Sequence, residues 1–190
     1  KVYLDGRFAF VLYKGELSRY GVRKGEELSD GIVEKIETDV ILKRARLRAL
    51  HLLEDMDRTE AALREKLKQG CYTQDMIDRA VDYVKSFGYL DDARYAENFV
   101  RSRQGAKSRK EIRALLMQKG VSSEHIEQAF EACYADAGED EAVRTILRKK
   151  RFDPRTADEP EKQRIYGYLA RKGFRYETVR QVIQNHEDNA

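Results

Sequence analysis

From Val40 to the C-terminus, apolar residues recur at spacings of three and four, the signature of amphipathic helices. Ala45, Ala49, Leu52, Leu53 and Met56 mark a first helix. Thr59 can cap a second, carrying Ala62, Leu63 and Leu67 and stopped by Gly70. Thr73 can cap a third, with Ile77, Val81 and Val84, ending at Phe87-Gly88. The unit then returns. Shifting by 49 carries Leu63 onto Ile112, Leu67 onto Leu116, Tyr72 onto Val121, Ile77 onto Ile126 and Val81 onto Phe130. A further shift of 53 carries Ile112 onto Ile165, Leu116 onto Leu169, Gly120 onto Gly173, Val121 onto Phe174, Ile126 onto Val179 and Phe130 onto Ile183. Apolar meets apolar at each of these positions, so the pattern predicts tandem helix-turn-helix-turn-helix units. Cys71 stands where the other units have Gly120 and Gly173. If that site needs positive φ, Cys71 carries strain or bends differently.

The first residues follow another period. Val2–Leu4 and Phe8–Leu12 flank Asp5-Gly6, which predicts a β-hairpin. Two strands need a third strand or a helix to rest on. Lys14–Tyr20 reads as a short helix and Gly21–Leu28 as a third strand; Ser29 or Asp30 can cap a helix starting near Gly31. Tyr134–Asp140 reads as a linker, and Phe152–Pro160 as an irregular piece, with Pro160 in the first turn of the next helix. The expected architecture is mostly α: an elongated array of three-helix units behind a small β-containing module. The boundaries are 1–38 for the module, then 39–90, 91–137 and 138–190 for the repeats.

Composition narrows the function. Charged residues make up 37% and apolar ones 41%, which suits small helical modules with much surface. The net charge of +3 is mild, so the distribution of charge has to carry any argument for an anionic partner. Cys71 and Cys133 stand far apart without a CxxC, which predicts a reducing cytoplasmic compartment and no metal site. No apolar run approaches 18 residues and no signal peptide is visible, so no membrane role is expected. The chain opens on Lys1 rather than Met, leaving room for an upstream piece. His51, His125 and His186 are isolated, and no GxGxxG, GxxxxGK[ST] or GxSxG occurs. No catalytic residue, cofactor or metal is expected.

The charge is concentrated in the middle. From Arg94 to Lys119 there are eight Lys/Arg against Glu97 and Glu111, a local balance of +6. Tyr95, Phe99 and Val100 make one apolar face of the helix after Asp91-Asp92, while Arg94 and Arg101 share another stripe. Arg103, Lys107, Arg109, Lys110 and Arg113 complete a candidate contact surface for an acidic partner. Arg148, Lys149, Lys150 and Arg151 form a secondary group at a helix C-terminus, where cations also offset the helix dipole. Lys43, Arg44, Arg46 and Arg48 form a third. Tyr89, Tyr95, Tyr166, Tyr168 and Tyr176 lie near basic residues, a pairing favoured at interfaces, although core packing accounts for Tyr95 equally well. Helix-turn-helix units invite a stand-alone DNA-binding reading. Against it, Glu124, Glu127 and Glu131 on the middle third helix would face phosphates. Asp91 and Asp92 read as a helix start, with a metal-dependent nuclease as the sharper rival.

Taken together, GYLDDARYA (residues 88–96), VRSR (100–103), a short Gly/Ser/Lys loop and EIRALLMQKGV (111–121) resemble the signature of the RecX family, bacterial modulators of the recombinase RecA. The resemblance runs more loosely from Val40 to Ile183, and the N-terminal part is similar to an extra module of some members. It implies a monomeric, non-enzymatic cytoplasmic protein of homologous recombination, DNA repair and the SOS response. Such a protein lies in the groove of the RecA–single-stranded-DNA filament. It restrains filament growth, ATP hydrolysis, strand exchange and stimulated repressor cleavage, with added contact to single- or double-stranded DNA. Tyr89, Leu90, Asp91 and Tyr95 match the motif and read as fold-forming.

Overall fold

The computed structural model describes residues 1–134 and 136–188, without the side chains of 136, 137 and 186–188. It divides into two compact units, Lys1–Asp91 and Asp92–Ala190.

The first unit opens with the expected hairpin, β1 (Val2–Leu4) antiparallel to β2 (Arg7–Phe10). Asp5 and Gly6 at the turn both have positive φ, 47° and 78°, matching the twist of the strands. Phe10 is buried on Ile36, Ile41, Leu42 and Met76, so helices supply the support that two strands lack. No third strand pairs with them among the described residues. Gly21 and Gly25 take φ of 65° and 80°, which breaks any extended run through Gly21–Leu28. Helix α1 (Lys14–Arg19) precedes this stretch. Helix α2 (Asp30–Ile36) follows it and passes through a wide π turn, Glu37–Leu42, into α3 (Lys43–Asp55).

Helices α3, α4 (Glu60–Gln69) and α5 (Gln74–Ser86) enclose the first three-helix core, with Ala45, Ala49, Leu63, Leu67, Val81 and Val84 inside. Thr59 caps α4 by accepting the Ala62 amide at 3.2 Å. Glu60 takes ion pairs from Arg64 at 2.7 Å and from Lys85 on α5, and Arg64 also reaches Asp78 at 2.5 Å. These charges tie α4 to α5 around the apolar centre.

The second unit repeats the plan twice. Helices α6 (Asp92–Arg103), α7 (Arg109–Gln118) and α8 (Ser123–Cys133) surround Val100, Ile112, Leu116, Ile126 and Phe130. Helices α9 (Asp136–Lys150), α10 (Glu159–Arg171) and α11 (Tyr176–Asp188) surround Val143, Leu147, Ile165, Leu169, Phe174, Val179 and Ile183. The large apolar positions related by the shifts of 49 and 53 are buried in the second and third units alike, while Gly120 is exposed and Gly173 half-buried. In the first, Leu63, Leu67, Ile77 and Val81 are buried and Tyr72 is half-buried.

Two local expectations change. The seam of α6 runs through Ala96 and Val100, with Tyr95 and Phe99 flanking it, because small Ala96 lets α6 approach α8 closely. The linker expected over Tyr134–Asp140 is mostly helix, since α9 begins at Asp136; Ala135 and the side chains of Ala137 and His186 lie outside the described residues. Phe152–Asp158 is irregular as expected, and Pro160 occupies the start of α10, where its missing amide proton is harmless.

The turn after each second helix has one geometry. At Gly120 the amide bonds Met117 O at 2.9 Å and Val121 N bonds Leu116 O at 3.1 Å; at Gly173 the same pair is 2.9 and 3.1 Å. Both glycines have positive φ, 81° and 88°. Cys71 adopts that same left-handed conformation, φ 62°, with its amide on Lys68 O at 2.9 Å. The shared turn therefore holds at the non-glycine position, with a cysteine strained to fit.

A candidate cationic binding surface

Ser108 organises the second domain's basic residues. Its hydroxyl accepts the Glu111 amide at 3.1 Å, which starts α7 and sets Arg109, Lys110 and Arg113 on the helix's first turns. The same hydroxyl donates to Lys172 O at 2.6 Å, at the end of α10. The buried serine thus joins the second and third domains.

The expected contact residues sort by their partners. Glu97 and Glu111, the two acids inside the basic stretch, are both engaged: Arg101 reaches Glu97 at 3.0 Å and Lys107 reaches Glu111 at 2.5 Å. Glu127 on α8 pairs with Arg113 and sits 3.6 Å from Arg109. The local excess of +6 therefore overstates the charge presented, because α8 folds a carboxylate back over the stretch. Arg109 and Arg113 also lie over Phe130, at 4.7 and 5.7 Å from the ring centre. Cation–π contacts of this kind fix the guanidinium groups while leaving them charged. Arg103 instead shares the Phe99 ring with Lys119, at 5.7 and 5.9 Å. The contacts thus form two clusters, one around Phe130 and one around Phe99. Arg94 is exposed on α6.

In the third domain, Arg148 pairs with Glu141 at 2.5 Å, and Lys150 lies 4.1 Å over Tyr168. Lys149 is exposed. Arg151 ends α9 in the left-handed conformation, φ 54°, a position usually given to glycine. The group at 43–48 is largely consumed by folding. Arg44 pairs with Glu16 and donates to Val11 O at 3.0 Å, Arg46 lies over Tyr83 at 4.6 Å, and Lys43 reaches Asp39 at 3.4 Å. Among the tyrosines, Tyr95 and Tyr168 pack on cores, whereas Tyr89 and Tyr176 are more than half exposed.

Beside the Phe130 cluster, the second and third domains enclose a cleft of about 360 Å³ lined by Arg109, Lys110, Arg113, Tyr134, Glu139, Gly173 and Arg175. Glu139 is buried and takes Arg175 at 3.2 Å. Burial pushes the Tyr134 hydroxyl up to about 12, and the Glu139 carboxylate pushes it the same way, against a smaller opposing pull from Arg109 and Arg175. That phenol keeps its proton at neutral pH. Nothing local in the sequence marks Tyr134 or Glu139. They join Arg109 through packing of the two domains; only Gly173 is signalled, by its match to Gly120.

Among the described residues no group of three His, Cys, Asp or Glu is placed to hold a metal, and Cys71 and Cys133 are free thiols. No helix among them is long and apolar enough to cross a membrane. Asp92 opens α6, and both Asp91 and Asp92 already interact within the chain.

Three consecutive three-helix domains with cations on helix starts and ends define a helical tandem-domain protein. All three domains match family models: residues 45–83 the first, 91–129 the second and 138–183 the third three-helix domain of RecX. The chain belongs to the RecX family. It is similar to the regulatory protein RecX of Caldanaerobacter subterraneus, 30% identical over 183 residues, which span 96% of this chain and 90% of that one. With that of Trichlorobacter lovleyi it is 36% identical over 142 residues, 73% of this chain and 92% of the relative. A crystal structure of regulatory protein RecX superimposes with a TM-score of 0.70 at 26% identity, covering 95% of this chain and 92% of that one. RecX from Lactobacillus salivarius gives 0.67 at 25% identity, over 77% and 96%.

Proposed function

We propose that this chain regulates RecA by binding the RecA–single-stranded-DNA filament in its groove. It thereby restrains filament growth, ATP hydrolysis and strand exchange, and it does so without catalysis, as a cytoplasmic monomer. The observation that carries this reading is the match of all three domains to RecX, joined to a second domain whose Arg109 and Arg113 lie together over Phe130. The contact set is Arg94, Arg101, Arg103, Lys107, Arg109, Lys110 and Arg113, with Arg148, Lys149, Lys150 and Arg151 secondary. A groove occupied by consecutive small domains is blocked sterically, and contacts to successive protomers resist their exchange. Phosphate contacts add an affinity that weakens with salt.

The test is inhibition of RecA-driven ATP hydrolysis by the parent and by Arg109→Gln/Arg113→Gln. Glutamine is chosen because reversal to Glu would crowd three carboxylates at Glu127. Weakened inhibition with unchanged helical circular dichroism is expected; full inhibition by the double variant removes these two residues from the contact set. Stand-alone duplex recognition is disfavoured by α8, whose Glu124, Glu127 and Glu131 would enter the groove beside phosphates. Tight, sequence-selective shifting of bare duplex without RecA would reverse that judgement.

A further inference from the structure

We propose that the cleft between the second and third domains is a binding subsite for one backbone phosphate of a nucleic-acid strand. Four cationic side chains, Arg109, Lys110, Arg113 and Arg175, line it with the carboxylate of Glu139, and Glu127 behind them pairs with Arg113 and lies 3.6 Å from Arg109. They come from two domains, so the site exists only when both are folded and joined through Ser108 and Lys172.

Three further observations point to a ligand. The Tyr134 hydroxyl at the cleft is buried and its proton has no acceptor among the described residues, while the Arg109 backbone acts on its oxygen. A buried polar group left so is disfavoured unless something else satisfies it. Lys110 is exposed and has no acidic partner among the described residues, unlike Arg101, Lys107, Arg109 and Arg113. At Gly173 a side chain is excluded: an added Cβ would lie 2.9 Å from Lys110 Cβ and 3.1 Å from Ser108 Oγ. That wall of the cleft stays bare backbone.

Chemistry favours phosphate over a protein carboxylate. A carboxylate has two oxygens, which one guanidinium fork can satisfy; even Glu139 needs only Arg175 beside it, through one contact at 3.2 Å. Here a phenolic proton, an ammonium and guanidinium groups surround one space, which suits an oxyanion with several acceptor oxygens. Glu139 holds Arg175 in place and offsets part of the repulsion among the cations. The inference deepens the proposed function, because it assumes that nucleic acid is part of the target.

The variants are Tyr134→Phe and Lys110→Gln in the full chain. Tyr134→Phe removes a hydroxyl whose proton has no acceptor in the described residues, so a purely structural role predicts little change in Tm and unchanged binding. The subsite predicts that the same Tm behaviour accompanies an affinity for a labelled thymidine 20-mer about five- to tenfold lower. Lys110→Gln should reduce the magnitude of the slope of log K against log salt by about 0.7, one cation's share on a single strand. Inorganic phosphate should shift the amides of Arg109, Lys110 and Gly173 saturably in the parent, and far less in Tyr134→Phe. The subsite is overturned if phosphate leaves those amides unmoved, or if both variants bind the oligonucleotide as the parent does with the same slope. Parallel RecA ATPase assays separate the two readings. A parent that fails to restrain RecA sinks the proposed function, while the phosphate titration judges the cleft on its own. Competition by an acidic peptide at those amides, with no response to phosphate, would reassign the cleft to a protein partner.

Discussion

Cys71 shows how much a single backbone position reveals. It holds φ 62° where its counterparts are glycines at 81° and 88°. A residue with a Cβ is disfavoured there by roughly 1–2 kcal/mol, and glycine's extra chain entropy returns part of that. Cys71→Gly is therefore expected to stabilise the protein by about 0.5–1 kcal/mol, a rise in Tm of about 2 °C by calorimetry. An unchanged or lower Tm would show that the side chain of Cys71 contributes more than its strain removes. Gly173 is the opposite case. There Gly173→Ala adds both the left-handed penalty and the collision with Lys110 and Ser108, so a loss of about 2 kcal/mol or more is expected in urea denaturation.

At the scale of elements, helix ends and helix pairs carry the specific interactions. Ser108 satisfies an amide of α7 and the terminal carbonyl of α10 with one hydroxyl. Ser108→Ala loses the cap and leaves Lys172 O without that donor, so a destabilisation of about 2 kcal/mol is expected, against roughly 1 for an ordinary cap. Ser122 caps α8 alone, with no second partner among the described residues. Equal effects from Ser108→Ala and Ser122→Ala would argue that the inter-domain bond is weak. In the first domain, Glu60 joins α4 to α5. Burial pushes its carboxyl up, but hydrogen bonds and charge from Lys85 and Arg64 outweigh this and hold it below the ordinary 4.5. A carboxylate depressed by folding stabilises the fold above its ordinary value and loses that contribution as pH falls through the folded value. Urea midpoints of the parent should therefore drop as pH falls from about 4.5. Glu60→Gln should start lower at pH 7 and show a shallower drop; parallel curves would mean that Glu60 is not the group responsible.

For the whole molecule, the question is which charges remain for a partner once the chain has satisfied itself. Glu97, Glu111 and Glu141 each take a cation from nearby in the sequence, and Glu127 takes Arg113 from a different helix. Apart from the part-buried Lys107–Glu111 pair these are exposed, so each contributes little to stability and yields readily to a stronger anion. RecA-filament binding is accordingly expected to fall steeply with salt while the Tm barely changes between about 50 and 200 mM. Salt-insensitive inhibition of RecA would point to an apolar interface instead, and the exposed Phe87 and Tyr89 would be the first residues to change.

The repeat was legible because burying a helix face requires apolar residues every three or four positions, and three copies of one pattern reinforce each other. The hairpin turn, the helix start at Thr59 and the special turn at Cys71 were legible too, since each depends on neighbours within four residues. Gly21–Leu28 was not, because an extended run and a glycine-bent coil share one composition. The start of α9 was not, since Gly138 and a cluster of acids look like a linker until helix packing decides.

What the residues determine unaided is whatever follows from local spacing: three helical domains, their cores, their turns, and membership of a family through a long contiguous motif. What tertiary structure decided is which charges meet. Glu127 reaches Arg113 from a different helix, and Tyr134, Glu139 and Arg175 meet Lys110 across two domains. The physical reason is range. Periodicity and capping act within a turn or two of helix, whereas ion pairing depends on distances that exist only after the helices have packed.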